Sequence, residues 1–285
     1  MCAEKNPRAH SPQVTLHCVD CIVGMMELPP ASVDVVVTSP PYNLGKNYGA
    51  GVCDKLDAVK YLVWTKKWIA EVVRVMAPGA SLFLNVSGSP KERWIPHDVA
   101  NIAGIFLQLQ NEIHWVKSIA LDAEDIGLEH NLPNGLSVGH YKPINSKRFL
   151  NDCHEYVFHF TLSGNVGLDR LAIGVPYADK TNTRRWSGGK DLRCRGNVWF
   201  LPYPTIQKGR PHPAVFPVKL PERCIKLHGL KPDMVVLDPF SGIGSTALAC
   251  VRLGVAFIGF ELNAEFAEEA QRRISIEQEV QCCHA

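Results

Sequence analysis

A glycine-rich turn late in the chain combines residue types that can bind a small ligand. Residues 238–246 read Asp-Pro-Phe-Ser-Gly-Ile-Gly-Ser-Thr, between a β-branched run and a stretch of helical spacing. Two glycines allow a sharp turn, and a helix start offers unpaired N–H groups. Glu261 follows the next predicted strand, where a carboxylate can accept hydrogen bonds from ribose hydroxyls. The Gly-Lys of a phosphate-binding loop is missing, which argues against a nucleotide triphosphatase.

A second loop, two hundred residues earlier, is rich in hydrogen-bond acceptors. Residues 38–42 read Thr-Ser-Pro-Pro-Tyr and directly follow the β-branched residues 33–37. Two prolines stiffen the loop and supply carbonyl acceptors but no N–H groups. Ser39 adds a hydroxyl, and Tyr42 adds an aromatic face for a planar base. Such a loop suits the exocyclic amino group of a flipped-out nucleobase.

The elements that must position these two loops alternate between strand and helix. We expect strands over residues 33–38, 81–86, about 111–117, 156–162, 234–237 and 256–261. We expect helices over residues 58–76, about 96–108, 221–230, 242–253 and 264 to about 276. Pro78 and Gly79 should end the first long helix. This alternation predicts an α/β fold with a mainly parallel sheet and helices on both faces, so that both loops open into one crevice beyond the strand ends.

The middle of the chain is more polar and more basic than its ends. Residues 141–200 contain ten Lys and Arg and five Asp and Glu, in a chain whose formal net charge is +2. Six prolines between positions 202 and 221 indicate an extended connector. A basic irregular insert is typical of a protein that binds a polyanion from one side, although a solvated face with surplus Lys and Arg fits the charge equally well.

Length and composition exclude several classes of protein. The 285 residues are 46% apolar and 20% charged, which is typical of one or two folded domains. No apolar run reaches the ~18 residues of a membrane span, and residues 1–8 lack a secretory apolar segment. We therefore expect a cytoplasmic protein with no membrane partner, whose ten cysteines are thiols. Cys18 and Cys21 lack a second ligand pair, and His154 and His159 are five residues apart, so we predict no metal site.

With these motifs in hand, the chain resembles the amino-methylating DNA methyltransferases. Residues 38–42 are similar to their S/D/N-P-P-Y/F catalytic motif, and residues 238–246 are similar to their D-P-F-x-G-x-G-T-T cofactor motif, with Ser245 in place of Thr. The catalytic motif precedes the cofactor motif, which is the permuted order of the β group. Residues 20–34, 74–80 and 212–217 also resemble family segments. The resemblance covers roughly residues 15–118 and 210–276.

The resemblance implies a Rossmann-like fold, S-adenosyl-L-methionine as cofactor and double-stranded DNA as substrate. It places Ser39, Pro40, Pro41 and Tyr42 in the catalytic loop. It places the cofactor among Asp20, His212, Pro213, Phe216, Asp238, Pro239, Phe240, Gly242, Gly244, Ser245, Thr246, Glu261 and Asn263. In this scheme Asp238 lies near the methionine ammonium, Asp20 near the adenine amino group, and Phe240 and Phe216 pack against the cofactor.

Ser39 indicates the target base. In this group a Ser at the first motif position usually accompanies transfer to N4 of cytosine, whereas Asp accompanies N6 of adenine. We therefore expect cytosine N4, reached by base flipping and direct in-line transfer, with adenine N6 as the alternative. An oxidoreductase using a nicotinamide cofactor would leave residues 39–42 without a role, and a non-catalytic DNA-binding protein would have no need of both motifs.

The resemblance also implies an organisation of the chain. We expect residues 1–118 to form the catalytic half, 119–205 the target-recognition region and 206–285 the cofactor-binding half. Candidate DNA contacts are Lys147, Arg148, Arg184, Arg185, Arg193 and Arg195. Residues 43–57 are a candidate mobile lid. A restriction endonuclease for the same site and a second copy of this chain are considered as further partners.

Overall fold

The computed structural model describes residues 13–49, 54–122, 124, 135–139, 145–181, 189, 191–202 and 215–284. Its strands are β1 (Val14–Cys18), β2 (Val33–Thr38), β3 (Met76–Val86), β4 (Gln108–Val116), β5 (Ile119–Leu121), β6 (Leu136–Val138), β7 (His154–Thr161), β8 (Val198–Phe200), β9 (Val235–Asp238) and β10 (Ala256–Glu261). Its helices are α1 (Cys21–Met26), α2 (Ala58–Val75), α3 (Ile95–Gly104), α4 (Lys219–His228), α5 (Ser245–Leu253) and α6 (Ala264–His284).

Eight of the described strands form one sheet in the order β1-β10-β9-β2-β3-β7-β4-β8. All pairings are parallel except those of β7, which runs antiparallel to both β3 and β4. β5 and β6 pair separately as an antiparallel ribbon. The mostly parallel α/β fold predicted from the sequence is therefore confirmed.

The central strand β2 is buried on both faces, which explains why it is β-branched at every position except Asp34. Val35 and Val37 pack into an apolar cluster with helices α4, α5 and α6. Val36 points to the other side, into a cluster with helices α1, α2 and α3. Helices therefore cover both faces, and the carboxyl ends of the central strands remain open to hold the two loops.

Several element boundaries differ from those expected. Helix α2 ends at Val75 and β3 begins at Met76, so Pro78 and Gly79 lie inside the strand rather than ending the helix. Pro78 is tolerated there because it has no register partner in β2, where pairing passes from Met76 to Ser81. The missing N–H of proline therefore breaks no hydrogen bond with β2. Helix α5 begins at Ser245, after a turn over residues 242–244, and α6 extends to residue 284.

The middle of the chain contributes more to the sheet than its composition indicates. Strand β7, from the stretch expected to read DNA, lies between β3 and β4, and the short β8 pairs with β4. Strands β1 and β8 have no clear sequence signal, since both are short and half-exposed. The division at residues 118 and 205 stays a prediction, although two strands of the expected recognition region belong to the main sheet.

The described part of the chain carries free thiols, among them buried Cys21 and exposed Cys18. Within the same residues, no cluster of His, Cys, Asp and Glu has an arrangement that could hold a metal ion. None of the described helices is both long and apolar enough to span a bilayer.

Candidate active site

The predicted catalytic and cofactor loops leave adjacent strands at the same edge of the sheet. Thr38 ends β2, Asp238 ends β9 and Glu261 ends β10, and these strands are neighbours in the sheet. Because parallel strands present their carboxyl ends together, loops two hundred residues apart in sequence meet in space.

A cavity of about 330 Å³ joins the two loops. This volume lies in the ~300–1,000 Å³ range of small-molecule sites. The residues that line it come from both ends of the chain: Val19, Asp20, Cys21, Ser39, Pro40, Pro41, Tyr42, Asn43, Tyr48, Asp54, Leu56, Tyr61, Trp64, Val215, Phe216, Pro239, Phe240, Ser241, Gly242, Ile243, Ser245, Phe260, Glu261 and Leu262. Residues 39–42 and Gly242 therefore share one hollow, as the sequence analysis expects.

A buried carboxylate ties the two loops together. Asp238 Oδ1 accepts hydrogen bonds from Thr38 Oγ1 (2.7 Å) and from the N–H of Phe240 (3.1 Å), while Oδ2 accepts one from Thr246 Oγ1 (2.7 Å). Burial raises the pKa of Asp238 to about 6, against these hydrogen bonds, which lower it. Among the described residues, Asp238 does not line the cavity. The groups that donate hydrogen bonds to its carboxylate belong to the protein. It holds Thr38 and the turn after β9 in register.

Glu261 is the acidic group that faces the cavity from the cofactor side. Its carboxylate accepts the N–H groups of Gly242 (2.8 Å) and Asn263 (2.9 Å). The N–H of Leu262 also bonds to this carboxylate, which has about four acceptor positions, so at least one remains for a ligand hydroxyl. Burial raises the pKa of Glu261. Asp20, which also lines the cavity, accepts the N–H groups of Ile22 and Val23 and caps helix α1.

The cofactor side of the cavity fits S-adenosyl-L-methionine in its chemistry. Ser241 lines the cavity, but its hydroxyl is buried beside Gly259 and has no hydrogen-bond partner among the described residues. Phe240 packs against Trp64 (5.6 Å between ring centroids), giving an aromatic wall for a planar base. The carboxylates of Asp20 and Glu261 and these aromatic rings match a ribose-bearing adenine compound.

The catalytic side is organised by a polar network around the hydroxyl of Tyr42. Ser39 Oγ and Tyr42 Oη are 2.7 Å apart. Asn85 Nδ2 donates to Tyr42 Oη (2.7 Å), to Glu155 Oε2 (2.8 Å) and more weakly to Ser39 Oγ (3.4 Å). Tyr42 Oη also lies 3.2 Å from Glu155 Oε2, and Lys117 Nζ donates to Glu155 Oε1 (3.0 Å). This network fixes the orientation of the Ser39 and Tyr42 side chains.

Two further contacts define the state of the catalytic loop. Burial, with the nearby charge of Glu155, raises the pKa of Tyr42 well above its ordinary value, so its hydroxyl is a neutral phenol at physiological pH. Tyr61 Oη donates to the carbonyl of Pro41 (2.9 Å), so that carbonyl already has a donor. Ser39 and Pro40 also line the cavity, and their expected contact with an amino group stays a prediction.

The loop expected to form a mobile lid is held by one carboxylate in its described part. Asp54 accepts the N–H groups of Asn43 (2.7 Å), Leu44 (3.2 Å) and Lys46 (2.8 Å). Asn263 Nδ2 donates to the carbonyl of Tyr48 (2.6 Å), which joins the lid to the end of β10. The described lid residues therefore close over the cavity and contact its cofactor side.

Most of the predicted site residues that the structure describes line the cavity, and four lie behind its wall. The lining ones are Asp20, Ser39, Pro40, Pro41, Tyr42, Phe216, Pro239, Phe240, Gly242, Ser245 and Glu261. Those behind the wall are Asp238, Gly244, Thr246 and Asn263. A Cβ on Gly244 would lie 3.1 Å from Ala270 Cβ, so this glycine permits close packing of α6. Asn263 caps α6 by accepting the N–H of Glu265 (2.8 Å). His212 and Pro213 lie outside the described residues.

The candidate DNA contacts are only partly described. Lys147 and Arg148 are exposed, and the guanidinium of Arg148 lies 4.8 Å from the centre of the Phe149 ring. Arg193 is exposed, whereas Arg195 Nε donates to the carbonyl of Ile173 (2.9 Å) and so supports the fold. Arg184 and Arg185 lie outside the described residues. Contact of these groups with DNA stays a prediction.

Sequence reasoning missed the residues that support the catalytic loop, namely Asn85, Glu155, Lys117, Asp54 and Tyr61. The sequence contains an indication for two of these residues. Asn85 interrupts an apolar strand near its carboxyl end, and Glu155 is a charged residue beginning another. Their convergence depends on β7 inserting antiparallel beside β3, which the sequence pattern does not specify.

Comparison with known proteins identifies the class to which this fold and site belong. Residues 33–272 match the family described as DNA methylase, and the chain belongs to that family of DNA methyltransferases. The predicted cofactor, S-adenosyl-L-methionine, is confirmed. Membership in this family removes the oxidoreductase alternative.

Individual relatives span most of the chain. The chain is 28% identical over 267 residues to the type II methyltransferase M.HpaI of Haemophilus parainfluenzae, covering 92% of this chain and 74% of that protein. It is 26% identical to the DNA adenine methyltransferase YhdJ of Escherichia coli strain K12, covering 90% and 81%. The structure resembles that of the PvuII DNA methyltransferase, described as cytosine-N4-specific, with a TM-score of 0.64, 18% identity and 94% coverage of each chain.

Proposed function

We propose that this protein is a β-group, N4-cytosine DNA methyltransferase. It transfers the methyl group of S-adenosyl-L-methionine to the exocyclic N4 amino group of a cytosine extruded from double-stranded DNA. The order of the motifs supports the β group, because the catalytic loop at residues 38–42 precedes the turn at residues 238–246. The observation that carries the proposal is the single cavity shared by Ser39, Tyr42, Gly242 and Glu261.

The cofactor side of the cavity binds and orients. Glu261 offers its remaining acceptor capacity to the ribose hydroxyls, and Asp20 adds a second carboxylate to the cavity wall. Phe240 and Phe216 line the wall and exclude water from the bound ligand. When bound, S-adenosyl-L-methionine supplies a methyl carbon already activated by its sulfonium.

The catalytic loop then positions the base. The Ser39 hydroxyl and the Pro40 carbonyl accept hydrogen bonds from the amino group and direct its lone pair toward the methyl carbon. The ring of Tyr42 stacks on the extruded base, and its hydroxyl is held by Asn85 and Glu155 so that the ring keeps one orientation. Positioning of this kind can supply up to ~7–11 kcal/mol of barrier lowering, which exceeds the few kcal/mol that base flipping costs.

Ser39 supports cytosine as the target. The sequence has Ser, rather than Asp, at the first position of the catalytic motif. Adenine N6 is the second candidate, because one relative of similar identity, YhdJ, is a DNA adenine methyltransferase. A restriction endonuclease acting on the same site fits the type II relatives and belongs to the same proposal.

One experiment tests the reaction and the target together. Unmethylated plasmid DNA is incubated with the protein and S-adenosyl-L-methionine carrying a labelled methyl group, and the digested nucleosides are separated by mass spectrometry. Labelled N4-methylcytosine is the expected product. Labelled N6-methyladenine would assign the second candidate, and absence of label in DNA would overturn the proposal.

A variant of Tyr42 tests the stacking role. Tyr42→Ala should lower methyl transfer by at least about 10²-fold while leaving cofactor affinity within about threefold, because base–aromatic stacking is worth ~1–3 kcal/mol and positioning adds to it. Trp94→Ala, which changes an exposed aromatic residue outside the described cavity lining, is the matched control. Undiminished turnover by Tyr42→Ala would contradict this role.

A further inference from the structure

The network behind Tyr42 ends on a carboxylate that the proposed transfer step does not use. Glu155, at the start of β7, lies next to Lys117 and has 15% of its side chain exposed. It reaches Ser39 only through Tyr42 and Asn85. Neither motif of the sequence includes Glu155, Asn85 or Lys117, yet their contacts hold the hydroxyl of Tyr42 in place.

The hydrogen bonds of the network have a defined direction. The Asn85 amide must point its Nδ2 at Glu155, because the carboxylate only accepts, and the same Nδ2 donates to Tyr42 Oη. Tyr42 has one proton, and its acceptors are Glu155 Oε2 (3.2 Å), the carbonyl of Asn85 (3.3 Å) and Ser39 Oγ; the carboxylate is the strongest of them because it is charged. With that proton directed to Glu155, Tyr42 Oη accepts from Ser39, 2.7 Å away. The Ser39 proton then points to Tyr42.

We infer that Glu155 is a positioning residue and the terminal proton acceptor of a relay running from Ser39 through Tyr42. The inference rests on the proposed function. Because the Ser39 proton is engaged with Tyr42, the lone pairs of Ser39 Oγ face the substrate amino group and accept its N–H. An unsupported serine hydroxyl would rotate freely and donate as readily as it accepts.

The relay also disposes of the proton that the reaction must release. The amino nitrogen forms its bond to the methyl carbon with its lone pair, and the carbon–sulfur bond breaks with its electron pair remaining on sulfur. The nitrogen gives a proton to Ser39 Oγ, Ser39 gives its own proton to Tyr42 Oη, and Tyr42 gives its proton to Glu155 Oε2. Glu155 becomes a neutral carboxylic acid. Its partial exposure lets the proton reach solvent before the next turnover.

Lys117 fits this role as a fixed counter-charge. Its ammonium donates to Glu155 Oε1 (3.0 Å), the oxygen that Tyr42 and Asn85 do not use. The pairing balances the charge of the carboxylate and fixes its orientation toward the catalytic loop. Each carboxylate oxygen therefore has a separate task, one toward Lys117 and one toward the catalytic loop.

The test compares variants of Glu155 in single-turnover methylation of plasmid DNA. Glu155→Gln keeps the size of the side chain but removes the charge, and Glu155→Asp keeps the charge but shortens the side chain. General acid–base groups typically contribute 10²–10⁴-fold. We expect Glu155→Gln to lower the single-turnover rate about 10²-fold, with cofactor Kd and DNA KM within about threefold. Glu155→Asp should retain more activity than Glu155→Gln. Glu112→Gln, on the neighbouring strand β4, is the matched control.

Tyr42→Phe keeps the ring and removes the relay hydroxyl, so it provides an independent arm if Glu155→Gln does not fold. The Tyr42→Phe and Glu155→Gln losses should be similar, and the double variant should lose no more than either alone. The relay is overturned if Glu155→Gln has the wild-type rate, if Tyr42→Phe has the wild-type rate, if the losses multiply, or if only binding changes. Absence of methylation by the wild-type protein would instead overturn the proposed function.

Discussion

Replacing Asp238 with asparagine should make the protein more stable at pH 7. Asp238 is buried, and its pKa of about 6 in the folded chain lies above the ordinary 3.8. The folded protein therefore holds the proton more tightly than the unfolded chain, so stability falls as pH rises from about 4 to above 6. At about 1.4 kcal/mol per tenfold change in proton affinity, the ionised group costs about 3 kcal/mol at pH 7.

Asparagine removes this cost while keeping most of the hydrogen bonds. Its oxygen can accept from Thr38 and from the N–H of Phe240, and the Thr246 hydroxyl can turn to the carbonyl of Val37, 3.5 Å away. Because one acceptor position becomes a donor, we expect a net gain of about 1–3 kcal/mol. The ionisation cost falls to about 1.6 kcal/mol at pH 5, so the gain should be about 1.3 kcal/mol smaller there than at pH 7.

Urea unfolding of the wild type and Asp238→Asn at several pH values measures this difference. Other titrating groups are common to both proteins and cancel. A variant that is less stable than the wild type at pH 7 by 1 kcal/mol or more would refute the reasoning. Calorimetry with S-adenosyl-L-methionine adds a functional reading of the same variant. Unchanged affinity assigns Asp238 to the protein framework, whereas a loss of tenfold or more places the methionine ammonium beside it.

Three further predictions concern stability, cofactor affinity and the lid. In the Asp238→Asn background, lowering the pH from 7 to 5 should remove about 2–4 kcal/mol of stability in urea titrations. Burial lowers the pKa of His159 and His228 from 6.5 to about 4, so between pH 7 and pH 5 the unfolded chain binds protons that the folded chain does not. Equal stability at both pH values would contradict this prediction. Glu261→Gln should raise the cofactor Kd at least tenfold by calorimetry, because an amide offers fewer acceptor positions to ribose hydroxyls, and an unchanged Kd would exclude that contact. Asn263→Ala should cost about 1 kcal/mol as a lost helix cap and speed proteolysis of the lid, and unaltered cleavage would show that its bond to Tyr48 does not hold the lid.

The sequence was sufficient to predict the two loops and the sheet that positions them. Residues 35–37 and 235–237 are short apolar runs that end at polar motifs, which is the pattern of buried parallel strands opening onto a ligand site. Periodicity alone also located the long helix α2. These features depend on residues that are close together in the sequence, so the sequence pattern alone predicts them.

The supporting groups could not be predicted, because they depend on contacts between distant strands. Glu155 contacts Tyr42 only because β7 lies antiparallel beside β3, and the sequence of neither strand specifies that pairing. The start of β3 could not be predicted, because Pro78 and Gly79 indicate a break between helix and strand, whereas the strand begins at Met76. The contacts of Asn263 with α6 and Tyr48 also depend on the fold, and its expected contact with the cofactor stays a prediction.

The pairing of β2 with β9 has a consequence for how the chain assembles. Val35 and Val36 are register partners of Val236 and Leu237, two hundred positions downstream. During synthesis one edge of β2 therefore stays unpaired until residues 235–238 have been made. Such non-local pairing slows folding. We expect fragments that stop before β9 to aggregate through that apolar edge, and a separately supplied C-terminal fragment containing β9 and β10 to rescue them.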